Sequence, residues 1–197
     1  MRRRDFHRTA MALGMDMDSE EYRNEIERAI KEMAGKPILN GSHAHASIII
    51  ERMFANARGC VQILTRKFDP RIYGTSETVE EARLYLGQPD RKCRILVEEY
   101  DQTSFENHPF ILRMSPFFEA GNVQVRRLTE YYANIVNVNF SLMDESGFRF
   151  EEDKKEAVAV AAFGSGTENF VKSLQSLFDS LWQKAIPVDC DVLSVTA

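Results

Sequence analysis

Four histidines, His7, His43, His45 and His108, are the side chains best suited to proton transfer near neutral pH in this 197-residue chain. Only His43 and His45 lie close together, two positions apart. On a helix that spacing turns the rings away from each other, whereas on an extended segment both could ligate a metal. No H-x-x-x-H, H-E-x-x-H or Cys/His cluster accompanies them, and Cys60, Cys93 and Cys190 are far apart without C-x-x-C spacing. The expectation is therefore capping or surface positions for His43 and His45, a helix start at His108 beside Pro109, reduced thiols, and neither metal nor cofactor. Carboxylates cluster twice, at Glu98, Glu99 and Asp101 and again at Glu151, Glu152 and Asp153. Both groups read as solvated loop charges rather than a paired acid and base. Gly164, Ser165 and Gly166 form a turn without the lysine of a phosphate-cradling loop.

A more unusual pattern lies between these groups. Asn137, Asn139 and Ser141 alternate with Val138, Phe140 and Leu142 and lead to Asp144, as a strand with one polar face would. The frame around it reads as a strand at 135–143, a turn at 144–147, a returning strand at 148–151 and a third strand at 157–163. A long helix then runs to Ala185. Its expected buried stripe is Asn169, Phe170, Leu174, Leu177, Phe178, Leu181 and Trp182, with Thr167 as N-cap and Glu168 in the first turn.

Upstream the chain alternates helix and strand. A helix begins at Asp18 or Ser19 and carries Tyr22, Ile26, Ile30 and Met33 on one side, and 35–37 ends it. Further helices are expected at 42–58 and 76–86 and from Pro109, with strands at 60–65, 94–98 and 123–126. Such alternation implies a mixed, largely parallel sheet flanked by helices on both faces. The expected organisation is an N-terminal arm and helix over 1–40, an α/β domain over 41–186 and a tail over 187–197, the tail serving as an edge strand or remaining unstructured.

A hydrophobic content of 44%, a charged content of 28% and a formal net charge of −5 describe an ordinary globular protein with no global attraction to nucleic acid or acidic lipid. No apolar run reaches the ~18 residues that span a bilayer, and charged residues behind Arg2, Arg3 and Arg4 interrupt any signal-peptide core. A cytoplasmic location is expected. Arg2, Arg3, Arg4 and Arg8 could meet phosphates, although a short basic terminus is more commonly just solvated. Arg126 and Arg127 beside Tyr131 and Tyr132 suit a protein interface better than single-stranded nucleic acid.

The N-x-N-x-x-x-x-D run at 137–144 resembles the H-x-K-x-x-x-x-D signature of the phospholipase D-like superfamily, and the turn at 164–169 resembles, with one residue more before its asparagine, the G-S-x-x-N element that follows it. The resemblance extends over about residues 42–185 and implies a half-domain that pairs with itself or with a partner. In that superfamily the histidine attacks phosphorus, a second histidine protonates the leaving group and the lysine steadies the phosphate. Asn137 replaces the nucleophile and Asn139 the cation, so the reaction is not expected. The resemblance thus points to a non-catalytic binding or assembly module in a prokaryotic regulatory or defence-type system, with a degenerate ligand site at Asn137, Asn139, Ser141, Asp144, Ser165 and Asn169. Its expected interface is Tyr131, Tyr132, Arg126 and Arg127, and its expected partner a second copy or another protein, nucleic acid not being favoured. Two alternatives remain: a divergent phosphodiesterase or nuclease using His43, His45 or His108, and a small-ligand sensor.

Overall fold

A computed structural model describes residues 17–152 and 159–188. The arginine-rich arm, His7, Asp153, the start of the expected third strand, Cys190 and most of the tail lie outside the described residues.

Asp18 opens the first helix, α1 (Ser19–Glu32), its carboxylate accepting from the Glu20 and Glu21 N–H groups. Three residues after Pro37 form a short strand, β1 (Ile38–Asn40), too brief to show a period in the sequence. Ser42 caps α2 (His43–Asn56), which leads into β2 (Cys60–Thr65). A single turn, α3 (Pro70–Tyr73), precedes α4 (Ser76–Leu86) and β3 (Lys92–Val97). Then follow α5 (Gln102–Glu106), α6 (Pro109–Glu119) and β4 (Val123–Arg127).

The stretch expected to be one strand from residue 135 divides in two. Residues Glu130–Ile135 are helical (α7), and β5 starts only at Asn139 (Asn139–Met143). Tyr131 and Tyr132 consequently occupy a helix and not a strand. The hairpin continues into β6 (Gly147–Glu151), then β7 (Ala159–Phe163), α8 (Glu168–Lys184) and β8 (Ile186–Pro187).

The eight strands among the described residues form one sheet in the order β1-β7-β6-β5-β2-β3-β4-β8. The expected mixed α/β sheet is present, with less parallel pairing than its helix–strand alternation suggested. Only β2-β3 and β3-β4 are parallel, because the second half of the chain builds by hairpin and edge additions.

Side-chain alternation divides the core into two layers. Val61, Ile63, Cys93, Ile95, Val97, Val123 and Val125 face α1, α2, α4 and α6. Leu64, Leu96, Phe140, Leu142, Phe148 and Ala162 face α8. The buried stripe of α8 is Val171, Leu174, Phe178, Leu181 and Trp182, rotated from the expected one. Asn169 is exposed, and Phe170 and Leu177 lie at the margin, 40% and 37% exposed. Because helices cover both faces, polar residues in the middle of the central strands, such as Ser141 and Arg149, are enclosed. That enclosure places a polar strip inside the fold.

Candidate functional site

Two adjacent rows of side chains cross the sheet on its α1–α2 face. Register places Ile63, Ser141, Arg149, Ala161 and Ile38 side by side. In the next row Asn139 stands opposite Glu151, and Asn40 opposite Ala159. Ser141, Arg149, Asn139 and Asn40 are all buried, with exposures of 0%, 3%, 9% and 1%. A polar strip therefore lies under the helices, beside the apolar core.

Asn139 has no amide group to spare. Its Oδ1 accepts from the Arg66 N–H at 2.8 Å, and its Nδ2 donates to Glu151 Oε2 at 2.9 Å. The first contact fixes the chain where it leaves β2, and the second ties β5 to β6. Arg149, on the neighbouring position of β6, comes within 3.7 Å of the same Glu151 oxygen, too long for a hydrogen bond. Its Nε has no partner among the described residues.

Three aromatic residues close over this strip. Tyr22 of α1 donates to the Leu39 carbonyl at 3.1 Å and stacks on His45 of α2 with ring centroids 3.8 Å apart. Tyr73 of α3 stacks on Phe68 at 4.5 Å. Burial pushes both phenols up, while the Arg149 charge pulls both down, so the guanidinium lies within electrostatic reach of each. The Ser141 hydroxyl faces Tyr73 without a well-directed hydrogen bond.

Beyond Phe68, a cleft of about 540 Å³ opens at the carboxyl ends of β2 and β3. Lys67, Asp69, Glu99, Tyr100, Phe105 and His108 contribute to its walls. Crevices at this end of an open α/β sheet commonly take ligands. Its charges are already engaged: Arg71 pairs with Asp69 and holds that carboxyl below the usual range, and Arg66 does the same for Glu99.

None of the three described histidines hydrogen-bonds to Asn137; each has other partners. His43 is the half-exposed first residue of α2, 3.9 Å from Asp69, while His45 is buried against Tyr22. His108 caps α6, its Nδ1 accepting from the Phe110 N–H at 3.2 Å. Burial pushes the His108 imidazole down to about 4, against weaker upward pulls from Asp69 and the Phe68 backbone. Between its ordinary 6.5 and about 4 the unfolded chain thus binds a proton that the folded one does not. Stability from this group is complete above the ordinary value and is lost as pH falls through that window, by roughly 3 kcal/mol. His108→Asn preserves a capping side chain and removes the titration, so its urea midpoint should vary less with acidification than that of the wild type. An unchanged slope would assign the effect to another group.

The six residues expected to form one degenerate site divide into two groups. Asn139 and Ser141 lie in the polar strip, and Asn137 is exposed just before β5. Asp144 follows the far end of β5, roughly 16 Å from Asn139 along an extended strand. There its carboxylate accepts from the Arg58, Gly59 and Cys60 N–H groups at 2.8, 2.7 and 3.0 Å. Ser165 and Asn169 belong to that far end as well, since Gly164 N–H donates to the Ser146 carbonyl and Ser165 N–H to the Met33 carbonyl. Thr167 stands at the N-cap of α8, but its hydroxyl serves the Ser146 and Gly164 carbonyls instead of the helix.

The expected interface is divided too. Arg126 donates to the Trp182 carbonyl at 2.7 Å and lies over the Trp182 ring, which Arg94 also covers. Arg127 is exposed, and Tyr131, 68% exposed, packs edge-on against the half-buried Tyr132. Sequence reasoning missed Arg149, Tyr73 and Asn40. The only available signal was Arg149 between two phenylalanines on an alternating strand.

An eight-stranded mixed sheet with helices on both faces, a hairpin carrying the 137–144 run and a long helix across the opposite face together define a phospholipase D-like fold. The chain belongs to the family described as a domain of unknown function, DUF7931, which it matches over residues 42–190. No curated protein matches the sequence. Among solved structures, the archaeal chromatin protein TrmBL2, described as showing a novel mode of DNA binding, superposes with a TM-score of 0.59 at 14% identity, over 86% of this chain and 60% of that one. This chain thus spans 60% of the chromatin protein's length. Nuc from Salmonella typhimurium, a phospholipase D family member, gives a TM-score of 0.52 at 12% identity, over 78% of this chain and 99% of that one. NucT from Helicobacter pylori gives 0.51 at 12% identity over the same shares. Identities this low establish the fold and not the activity. Among the described residues no helix is long and apolar enough to cross a membrane.

Proposed function

We propose that this protein is a non-catalytic phospholipase D-like binding module. The observation that carries the reading is Asn139: in the position matching the phosphate-steadying lysine, an amide is bonded at both ends to Arg66 and Glu151 and serves the scaffold. Asn137 supplies no nucleophile, and Asp144 is occupied by three backbone donors at the other end of β5. His45 and His108 are buried, the latter neutral at physiological pH.

What remains serves binding. The enclosed polar strip and the cleft beyond Phe68 supply hydrogen-bonding groups beside aromatic walls, as small-ligand sites do. Tyr131 and Ile135 on α7, 68% and 61% exposed, offer an apolar contact for a second copy or a protein partner. Incubated with bis-(p-nitrophenyl) phosphate, the purified chain should release no product above a buffer blank. Turnover that Asn137→Ala abolishes would defeat the reading.

A further inference from the structure

The polar strip contains a buried charge that its described neighbours do not satisfy. Arg149 is 3% exposed, carries five N–H donors, and among the described residues meets a single carboxylate, 3.7 Å away, its Nε having no partner there. That Glu151 oxygen already accepts from Asn139. A guanidinium removed from water costs several kcal/mol unless it is paired in good geometry, and this pairing is too long to do so. Beside Arg149 across the hairpin, Ser141 Oγ is wholly buried and has no well-directed partner. Tyr73 adds a phenol to the same place. The guanidinium calls for an acceptor bearing negative charge, and the two hydroxyls can donate to the same acceptor.

Two acceptors are also unsatisfied nearby. On β1, Asn40 Oδ1 has no partner while its Nδ2 donates toward the Ser42 carbonyl. His45 Nε2 lies 3.3 Å from the Met17 carbonyl, which places the ring proton there and leaves the unpartnered Nδ1 as an acceptor. These two groups suit a ligand that also carries a hydroxyl.

On these grounds we infer that Arg149 receives a small oxyanion, enclosed between the sheet and α1–α3. Its fork offers two parallel N–H groups to a carboxylate or a phosphate, with Ser141 and Tyr73 completing the donor set. Tyr22, His45 and Tyr73, each at most 7% exposed, close the site. Enclosure of this kind excludes a nucleic-acid strand or a lipid chain and selects a free ion or small acid. The inference rests on the binding-module reading and specifies the ligand class of that site.

Calorimetric titration of the full chain in a low-salt zwitterionic buffer tests it, with inorganic phosphate, acetate and glycolate as separate arms and sodium chloride as the ionic-strength control. Saturable binding is expected for phosphate or for a carboxylate, glycolate exceeding acetate if the hydroxyl is used. Arg149→Met should weaken it at least tenfold. Ser141→Ala and Tyr73→Phe, which remove only hydroxyls, should weaken it severalfold and serve if Arg149→Met does not fold. No saturable binding in any arm, or binding unchanged in these variants, overturns the inference. Phosphodiester turnover would instead sink the non-catalytic reading while leaving the titration intact, so the two failures are distinguishable.

Discussion

Asp144→Ala is expected to destabilise the protein by about 3–5 kcal/mol without affecting any ligand site at the other end of β5. Its carboxylate is the common acceptor for three consecutive backbone N–H groups where α2 turns into β2. Charge-assisted bonds of this kind are stronger than neutral ones, and the half-buried Gly59 and Cys60 donors would lose their partner. Asp144 also has a positive φ of 52°, which aspartate and asparagine tolerate better than alanine. Asp144→Asn keeps one acceptor oxygen and that backbone preference, and should lose about half as much. Urea unfolding of the three proteins measures the difference. A loss below ~1 kcal/mol for the alanine variant would show that the clamp is dispensable.

The second large effect is expected at the turn before α8. Gly164 adopts φ +94°, and a Cβ there would lie 2.0 Å from the Met33 carbonyl oxygen. Across the same crossing, Gly35 has φ +68° and would place a Cβ 2.0 Å from the Ser165 carbonyl oxygen. The two backbones are joined by Gly35 N–H to the Phe163 carbonyl at 2.7 Å and Ser165 N–H to the Met33 carbonyl at 2.9 Å. Gly164→Ala must separate α1 from β7 and should cost more than about 3 kcal/mol. Gly35→Ala acts on the same crossing, so the double variant should lose less than the sum of the single ones. Additive losses in denaturant titrations would mean that the two glycines act independently.

These sites also show what was legible in the sequence. Helix and strand periods placed α1, α2, α4, α6, β2 and β4 closely, because local apolar spacing is set by which side is buried. The resemblance at 137–144 pointed to the right fold. Its geometry was hidden, because seven positions of sequence spacing say nothing about Asp144 turning back onto Arg58. The resemblance grouped Ser165 and Asn169 with the strand residues in one ligand site, because the partner of the Gly164 turn, Met33, is remote in sequence. Arg149 illustrates the opposite difficulty. Between Phe148 and Phe150 it carries no local sign of burial, which comes from the helices packed over that face of the sheet. Likewise the α8 stripe was displaced because Phe170 packs edge-on against Phe148 and Phe150 at the margin, leaving Val171 to enter the core.

Under the proposed reading, the phospholipase D-like frame surrounds a strand that does not hydrolyse phosphodiesters. A single-turnover experiment tests it most directly, with the purified chain in large excess over an end-labelled single-stranded oligonucleotide so that even one slow cleavage per molecule is seen. The same intact fraction as in a buffer blank is expected throughout the time course. Cleavage above the blank that disappears on substitution of Asn137, His43, His45 or His108 would contradict it.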